Sequence, residues 1–228
     1  MSDVNYNITW DESGKHFYET GVDHGVLYLQ DSNGAYPKGE AWNGLSAVTQ
    51  SPSGAEANPI YADNIKYLNL FSVEDFGGTI EAYYYPDGFE KCNGRREIVE
   101  GSGVYVSMQE RATFGLTYRT KLGNDVEGDD YAYKLHIVYG AKASPSEMNY
   151  QTTNDSPEPI AMSWEFSTIP VNVPGFKPTA YIELSAKDVD ADKLAALETI
   201  LYGTAAEGQT AAVEGRLPLP EEIIDLLD

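Results

Sequence analysis

Apolar residues recur along the chain in patterns that predict a protein built mostly from β-strands. In residues 160–169, Met162, Trp164 and Phe166 alternate with polar positions, which indicates a strand with one buried face and one wet face. Residues 65–71 carry apolar side chains on both faces, a pattern typical of a strand covered on both sides. Further strands are predicted at residues 26–30, 45–50, 79–85, 111–122, 131–141 and 179–186.

The C-terminal part of the chain departs from this strand pattern. Residues 188–202 predict one α-helix, because leucines recur at helical spacing, acids lie at its start and a glycine follows its end. Residues 204–215 are small and polar and predict a linker. Residues 216–228 are too apolar for a free tail, so we expect this segment to dock on its own subunit or on a neighbouring one. Its docking candidates are Leu217, Leu219, Ile223 and Leu226.

A single domain of 228 residues is expected, with two irregular parts. Residues 1–20 are polar with scattered aromatics, which suits either an arm that orders against a neighbour or an edge strand. Residues 31–59 are rich in turn residues and predict a long loop outside the core. Because Tyr36, Trp42 and Leu45 are apolar positions inside this polar loop, we expect them to contact other subunits.

The net charge of the chain is strongly negative, which argues against tight binding to nucleic acid. The chain carries 15 Lys and Arg against 36 Asp and Glu, a formal charge of −21 with a pI near 4.3. Since affinity for nucleic acid comes from neutralising phosphates, the chain is not expected to bind DNA tightly. Cys92 is the single cysteine, so no intrachain disulfide forms. No signal peptide and no membrane-spanning apolar run is present, and a protein made soluble where it is translated is expected.

Neither of the two acidic clusters in the sequence predicts a specific metal site. The acids Asp188, Asp190 and Asp192 resemble the start of a calcium loop, but Lys193 stands where that loop needs glycine and Thr199 where it needs a bidentate acid. The acids therefore suit a helix N-terminus, where the helix dipole favours them. The acidic turn at residues 124–130 could hold a cation only loosely, since exposed carboxylate clusters are commoner than ion sites.

Catalytic chemistry is equally poorly supported, so neither an enzyme nor a cofactor is expected. The histidines His16, His24 and His136 have no second ligand at metal spacing, and His136 within a strand suggests a hydrogen-bonded structural role. No nucleophile elbow, phosphate loop, dinucleotide fingerprint or Cys-x-x-Cys motif occurs. Among 36 acids some pair always has a glycosidase-like separation, which is a weak ground for a hydrolase.

Several blocks of sequence, in order, resemble the major tail tube proteins of siphophages, the bacterial viruses with long non-contractile tails. The most informative block is YADNIKYLNLFSVEDFGGTIEAYYYP, at residues 61–86, which joins two predicted strands without any of the residues that catalysis needs. Residues 93–109 depart most from the family pattern. The other matching blocks are GVDHGVLY (21–28), GAYPKGEAWNGLSAVTQSPSGAE (34–56), FGLTYRTKLGND (114–125), YAYKLHIVYGAKASPSE (131–147) and NDSPEPIAMSWEFSTIPVNVPGFKPTA (154–180).

The resemblance implies a fold and a function. The fold would be an all-β sandwich or curled barrel of the tail-tube type, with one flanking helix, a long loop and extended termini. Hexameric rings would stack into a tube that conducts viral DNA, with a tape-measure protein inside and distal tail and tail terminator proteins at its ends. The protein would be assembled in the bacterial host cytoplasm and reside in the virion tail, without contact with a membrane. Candidates to face the lumen are Glu81, Ser163, Glu165 and Ser167, which lie on the wet faces of predicted strands.

Two other classes remain open from the residues alone. The 17 tyrosines, 7 phenylalanines and 3 tryptophans would suit an acidic β-sandwich that binds carbohydrate, or another non-catalytic binding module. Such a module would align its aromatics on one exposed face and stay monomeric. A glycoside hydrolase would instead need a cleft with a perturbed acid.

Overall fold

The structure, a computed structural model, describes residues 7–152, 155, 158–206 and 211–228. It is mostly β, as the sequence predicts, and contains three short helices where the sequence predicts one. The helices are α1 (Phe89–Cys92), α2 (Ala191–Tyr202) and α3 (Pro220–Leu227). In chain order the strands are β1 (Tyr18–Leu29), β2 (Gly39–Ala41), β3 (Leu45–Gln50), β4 (Ser53–Gly54), β5 (Ala57–Ala62), β6 (Ile65–Phe71), β7 (Glu74–Asp75), β8 (Gly77–Ala82), β9 (Arg96–Glu97), β10 (Tyr105–Val106), β11 (Phe114–Asn124), β12 (Gly128–Ala143), β13 (Met162–Thr168), β14 (Tyr181–Ser185), β15 (Gly203–Thr204) and β16 (Val213–Glu214).

One antiparallel sheet of eight strands organises the subunit. Its hydrogen-bonded order is β2-β1-β11-β12-β13-β8-β3, and β14 pairs with the middle of β12, from Lys134 to Val138. The two ends of this path, β2 and β3, are consecutive in the chain, so the sheet must curl to bring them to one corner. At that corner the Trp42 amide donates to the Gly25 carbonyl at 2.7 Å and the Tyr83 amide to the Gly44 carbonyl at 2.8 Å. No ladder among the described residues joins β2 to β3, so the sheet is curled without closing into a barrel.

The inner face of the curled sheet encloses an aromatic core. Trp164 on β13 lies near its centre, with Phe89 of α1 and Tyr85 packed edge-on against its ring at centroid distances of 5.0 and 5.3 Å. Met162 and Phe166 point the same way and are buried, whereas the residues between them are exposed, as the alternation of β13 predicts. Burial of these large side chains is the main stabilising term for this half of the subunit.

A second core lies between the outer face of the sheet and the C-terminal helices. The β12 residues Leu135, Ile137 and Tyr139 pack against leucines of α2 and against residues of the terminal segment. Asp190 caps α2, because its side chain accepts from the amides of Asp192 and Lys193. The Tyr139 hydroxyl donates to the Pro218 carbonyl at 2.9 Å, which ties the segment before α3 to the sheet.

The segment 31–59, predicted as a long loop, contributes two strands to the main sheet, β2 and β3, and further strands to the two short ladders beside it. It contains β2, β3 and β4 and the start of β5. Trp42 is buried in the first core and Tyr36 in the second, so neither side chain is exposed to a neighbour. Leu45 is only partly buried against the first core, and its contact with another subunit stays a prediction. The polar atoms of Tyr36 and Trp42 are satisfied internally: the Tyr36 hydroxyl accepts from the Gly140 amide, and Trp42 Nε1 donates to the Tyr84 carbonyl.

The terminal segments likewise fold against their own subunit. In the docking segment, Leu217 and Ile223 are buried in the second core and Leu226 packs against it, so these candidates are not free to reach a neighbour, whereas Leu219 is exposed. The segment also holds a second flanking helix, α3, that the sequence pattern missed. In the predicted linker, Thr204 pairs with Val213 in the short ladder β15–β16. Residues 207–210 of the linker lie outside the described part, as do residues 1–6 of the predicted arm.

Candidate functional site

The most unusual surface of the subunit is a β-ribbon formed by β5 and β6. It extends the edge strand β3 and its neighbour β8 through the short β4–β7 ladder, and every residue of its two strands is exposed. The strands are joined by Asp63 and Asn64, which both adopt positive φ, 52° and 62°. Two central residues with positive φ match the twist of a two-residue hairpin turn, and Asp and Asn tolerate that conformation.

Both faces of this ribbon are apolar. In the cross-strand register Ile60 lies opposite Leu68, with Leu70 on the same face, and Phe71 lies opposite Ala57 on the other face. The register shifts between Ile60 and Tyr61, and the apolar residues beyond the shift, Tyr61, Ile65 and Tyr67, are also exposed. The pattern predicted a strand covered on both sides, but nothing among the described residues covers either face. A two-stranded ribbon is marginally stable in water, and exposed apolar patches of this kind mark interaction sites. The ribbon residues are therefore a candidate binding element.

An apolar groove lies at the base of the ribbon. It is about 1180 Å³ in volume and is bordered on one side by Phe71 and Val73, and on the other by Phe176 and Pro178. The ribbon base is held by hydrogen bonds of Ser72, whose amide donates to the Glu56 carbonyl and whose Oγ accepts from the Glu56 amide. The ribbon therefore leaves the sheet at an ordered base.

The four candidates for a lumen lie together on one exposed face. Ser163 lies opposite Glu81 in the β13–β8 ladder, and Glu165 and Ser167 follow on the same side of β13. All four side chains are exposed, because their neighbours in sequence fill the inner core. Lys142 lies opposite Ser167 and adds one cation at the border.

The acidic turn at residues 124–130 is engaged by the N-terminal segment. The Asp125 carboxylate accepts from the Gly14 amide at 3.0 Å and lies 3.1 Å from His16 Nδ1. This bond to His16 is the largest reason why the pKa of Asp125 is lowered to about 2, and the same contact raises the pKa of His16. Among the described residues no group of three or more His, Cys, Asp or Glu side chains is arranged to hold a metal ion.

His136 occupies a structural position at one end of the inner core. Its Nε2 lies 2.8 Å from Thr120 Oγ1 and its Nδ1 lies 2.7 Å from the Tyr181 hydroxyl, so both ring nitrogens have partners. The ring also stacks on Tyr118 at a centroid distance of 4.6 Å. Burial lowers the pKa of His136, because the charged form is poorly solvated there.

This burial predicts a pH dependence of stability. The pKa of His136 in the folded state lies below the unfolded value of about 6.5, so the unfolded chain binds the proton more readily. The folded state is therefore destabilised as the pH is decreased from about 6.5 to the lowered pKa. In denaturant unfolding from about pH 7.5 to about pH 5.5, His136→Gln is expected to lose less stability than the parent. His16→Gln should change the slope in the opposite direction, since the pKa of His16 is raised. Equal slopes for parent and His136→Gln would contradict this assignment.

The sequence pattern missed two features of this surface. Residues 65–71 were predicted as a strand, but residues 57–62 were not, and neither was recognised as part of a binding element, although Asp63-Asn64 between two apolar runs is a hairpin signal. Residues 94–110 form a separate exposed lobe around the β9–β10 ladder, for which the sequence offered no interpretation. Among the described helices none is long and apolar enough to cross a membrane.

Comparison with known proteins adds little to this geometry. No protein-family model matches the chain, and a search of curated proteins finds no match. Among solved structures, the chain is similar to one described as "Cryo-EM structure of the anti-feeding prophage (AFP) baseplate, 6-fold symmetrised", at 10% identity and a TM-score of 0.37. The similarity covers 79% of this chain and 99% of that chain. At that level it assigns neither a fold nor a function to this protein.

Proposed function

We propose that the protein is a structural subunit of a phage tail-type particle, and more specifically a major tail tube subunit that forms stacked hexameric rings. The observation that carries the proposal is the β5–β6 ribbon, which is apolar on both faces and lies outside the subunit's own two cores. Burial of these exposed apolar faces by another chain would stabilise the ribbon. The sequence resemblance to siphophage tail tube proteins supports a second copy of the same chain as that cover.

The edges of the curled sheet suit the same role. Among the described strands, β3 pairs only with β8 and β14 pairs only with β12, so each leaves one backbone edge unpaired. An unpaired edge is a template for a strand from another chain. If neighbouring subunits pair along these edges, the sheets of one ring join into a continuous barrel. A contact between unlike patches closes into a ring when the rotation allows, and stacking then extends it as a filament.

In this assembly the face bearing Glu81, Ser163, Glu165 and Ser167 lines the channel. Repetition of its carboxylates around and along the bore would repel the phosphates of DNA and leave few cationic groups to bind them. DNA would therefore pass through the bore without binding tightly. The tape-measure protein would occupy the bore during assembly, and the distal tail and tail terminator proteins would bind the two ends. These partners belong to the proposal through the sequence resemblance.

Negative-stain electron microscopy of the purified protein tests the proposal. We expect rings or tubes of uniform diameter that become more frequent as protein concentration rises. A protein that stays monomeric up to its solubility limit would contradict the proposed function, because the ribbon would then be stable without a partner.

One observation favours a second candidate, a carbohydrate-binding module. A shallow pocket of about 400 Å³ is lined by Tyr83, Tyr84, Tyr85 and Tyr150, with the Asp87 carboxylate beside them. Aromatic faces and a carboxylate are suited to stacking on sugar rings and accepting from their hydroxyls. A monomeric protein whose tyrosine fluorescence changes on adding an oligosaccharide, and which forms no rings, would favour this alternative.

Reversing the charge of the proposed channel face should make the tube retain DNA. In Glu81→Lys/Glu165→Lys both substitutions are at exposed positions, so the fold and the tube should survive. The cationic bore should then bind DNA with an affinity that falls steeply as salt rises. The measurement is DNA retention by assembled tubes across a salt series.

A control variant separates the channel face from total charge. Glu127→Lys/Glu221→Lys makes the same change in net charge at exposed positions elsewhere on the subunit. If the control retains DNA as strongly as the Glu81/Glu165 variant, the four residues do not line the bore.

A further inference from the structure

The tyrosine-lined pocket beside α1 combines aromatic rings with carboxylates. Its volume is about 400 Å³, and the side chains that matter most for its chemistry are those of Tyr84, Tyr85, Asp87, Glu90 and Tyr150. No Lys, Arg or His occurs among the described residues that border it. The pocket therefore has the composition of a site for a positively charged ligand, on a chain whose formal charge is −21.

The carboxylates at the pocket retain capacity to bind a cation. Glu90 Oε1 accepts from the Tyr85 hydroxyl and from Arg95 Nη1, each at 3.1 Å. Glu90 Oε2, in contrast, is buried and has no hydrogen-bond partner in the described part of the chain. Arg95 is the only described residue that forms an ion pair with either acid, and it pairs with Glu90. The exposed Asp87 carboxylate is thus left to a ligand, and the uncompensated Glu90 oxygen adds to the negative potential.

The tyrosines form an aromatic wall that is partly fixed before any ligand arrives. Tyr84 and Tyr150 are 64% and 73% exposed, so a ligand can reach them. Tyr84 stacks on Tyr85 at a centroid distance of 5.9 Å and an interplanar angle of 17°. Tyr85 is held in turn by edge-on packing against the buried Trp164, at 5.3 Å. Aromatic rings carry negative potential on their faces and attract cations, and a wall that is already ordered loses little entropy on binding.

We propose that this pocket binds a quaternary ammonium group of the choline type. Such a cation is weakly hydrated and is attracted to the faces of tyrosine rings, whereas a primary ammonium is strongly hydrated and loses more on leaving water. A carbohydrate would stack on the same rings, but it is neutral and would leave the charge of Asp87 uncompensated. All the residues concerned lie in one subunit, so the inference does not depend on the proposed assembly.

Isothermal titration of the purified protein with choline tests the proposal. The matched ligand is its neutral isostere dimethylbutanol, in which carbon replaces the charged nitrogen. We expect choline to bind with a dissociation constant at least about tenfold lower than that of the isostere, because only choline gains from the rings and the carboxylates. Equal affinities would overturn the proposal. Binding of the neutral oligosaccharide cellotetraose without binding of choline would assign the pocket to carbohydrate and also overturn it.

Two variants place the binding in the pocket. Asp87→Asn removes a charge without changing the shape of the side chain, and Tyr84→Leu removes an exposed ring. Each should weaken choline binding at least about fivefold and leave the thermal midpoint unchanged, since both positions are exposed. Their matched controls, Glu127→Gln and Tyr61→Leu, make the same changes at exposed positions elsewhere and should bind like the parent. Equal weakening in the controls would show non-specific surface binding and overturn the proposal.

Phosphocholine and vesicles of phosphatidylcholine distinguish a free choline-type cation from a lipid headgroup. Both should bind more weakly than choline, because their phosphate would lie close to the carboxylates of Asp87 and Glu90. Phosphocholine or vesicle binding as strong as that of choline would contradict the role given to these carboxylates and overturn the proposal. Choline binding is measured whatever the oligomeric state, so absence of rings or tubes would count against the proposed function and leave this inference standing.

Discussion

Replacing Ile65, Tyr67 and Phe71 together by threonine is expected to abolish ring and tube formation while leaving the subunit folded. The three side chains are 63%, 66% and 69% exposed, and threonine keeps the preference for strand, so each change should cost the folded subunit about 0.5 kcal/mol or less. If another copy buries them, each is worth about 1.5–3 kcal/mol in the contact. The concentration needed for assembly should therefore rise at least about 100-fold.

Electron microscopy and sedimentation over a range of concentrations measure this loss, and thermal unfolding checks the fold. A matched control replaces Val126, Tyr150 and Val213 by threonine, three similarly exposed apolar residues away from the ribbon. The control should assemble like the parent. If the ribbon variant also assembles at parental concentrations, the ribbon does not form the contact on which the proposed function depends.

Ending the chain at Gly215 is expected to destabilise the subunit severely, because the removed segment completes the second core. Leu217 and Ile223 are each only 3% exposed, and loss of a buried aliphatic side chain of this size costs about 2–5 kcal/mol. Two such losses approach the whole stability of a typical domain, about 5–15 kcal/mol. We expect an insoluble product or a large fall in the thermal midpoint, measured by circular dichroism.

Two point variants separate packing from mere shortening of the chain. Leu217→Ala should cost about 2–5 kcal/mol in denaturant unfolding, whereas Leu219→Ala, at a residue 42% exposed, should cost less than about 1 kcal/mol. A truncated protein with the parental midpoint would show that the segment contributes nothing to the fold. Equal costs at the two leucines would contradict the burial on which the prediction rests.

The local periodicity of the sequence was sufficient to predict most of the longer strands and helix α2, and to predict which face of several strands is buried. The alternation in β13 assigned Trp164 to the core and Glu165 to solvent, because successive side chains of a strand point to opposite faces. The apolar spacing and capping acids of residues 188–202 likewise point to α2, which runs from Ala191 to Tyr202. Both features depend on neighbours within a few residues, so one sequence contains all the information they need.

The destination of each apolar face was decided only by the tertiary structure. The sequence around Trp42 is compatible both with contact to a neighbour and with burial in its own core. Its burial depends on the corner between β2 and β3 and on Tyr84, 42 residues away. For the ribbon, the sequence predicted burial and the structure shows exposure. The pattern of residues 65–71 predicted a strand covered on both faces, yet no described part of the protein covers them. Sequence determined which residues need burial, because hydrophobicity is local. Folding determined which partner supplies it, because that choice depends on contacts between distant segments.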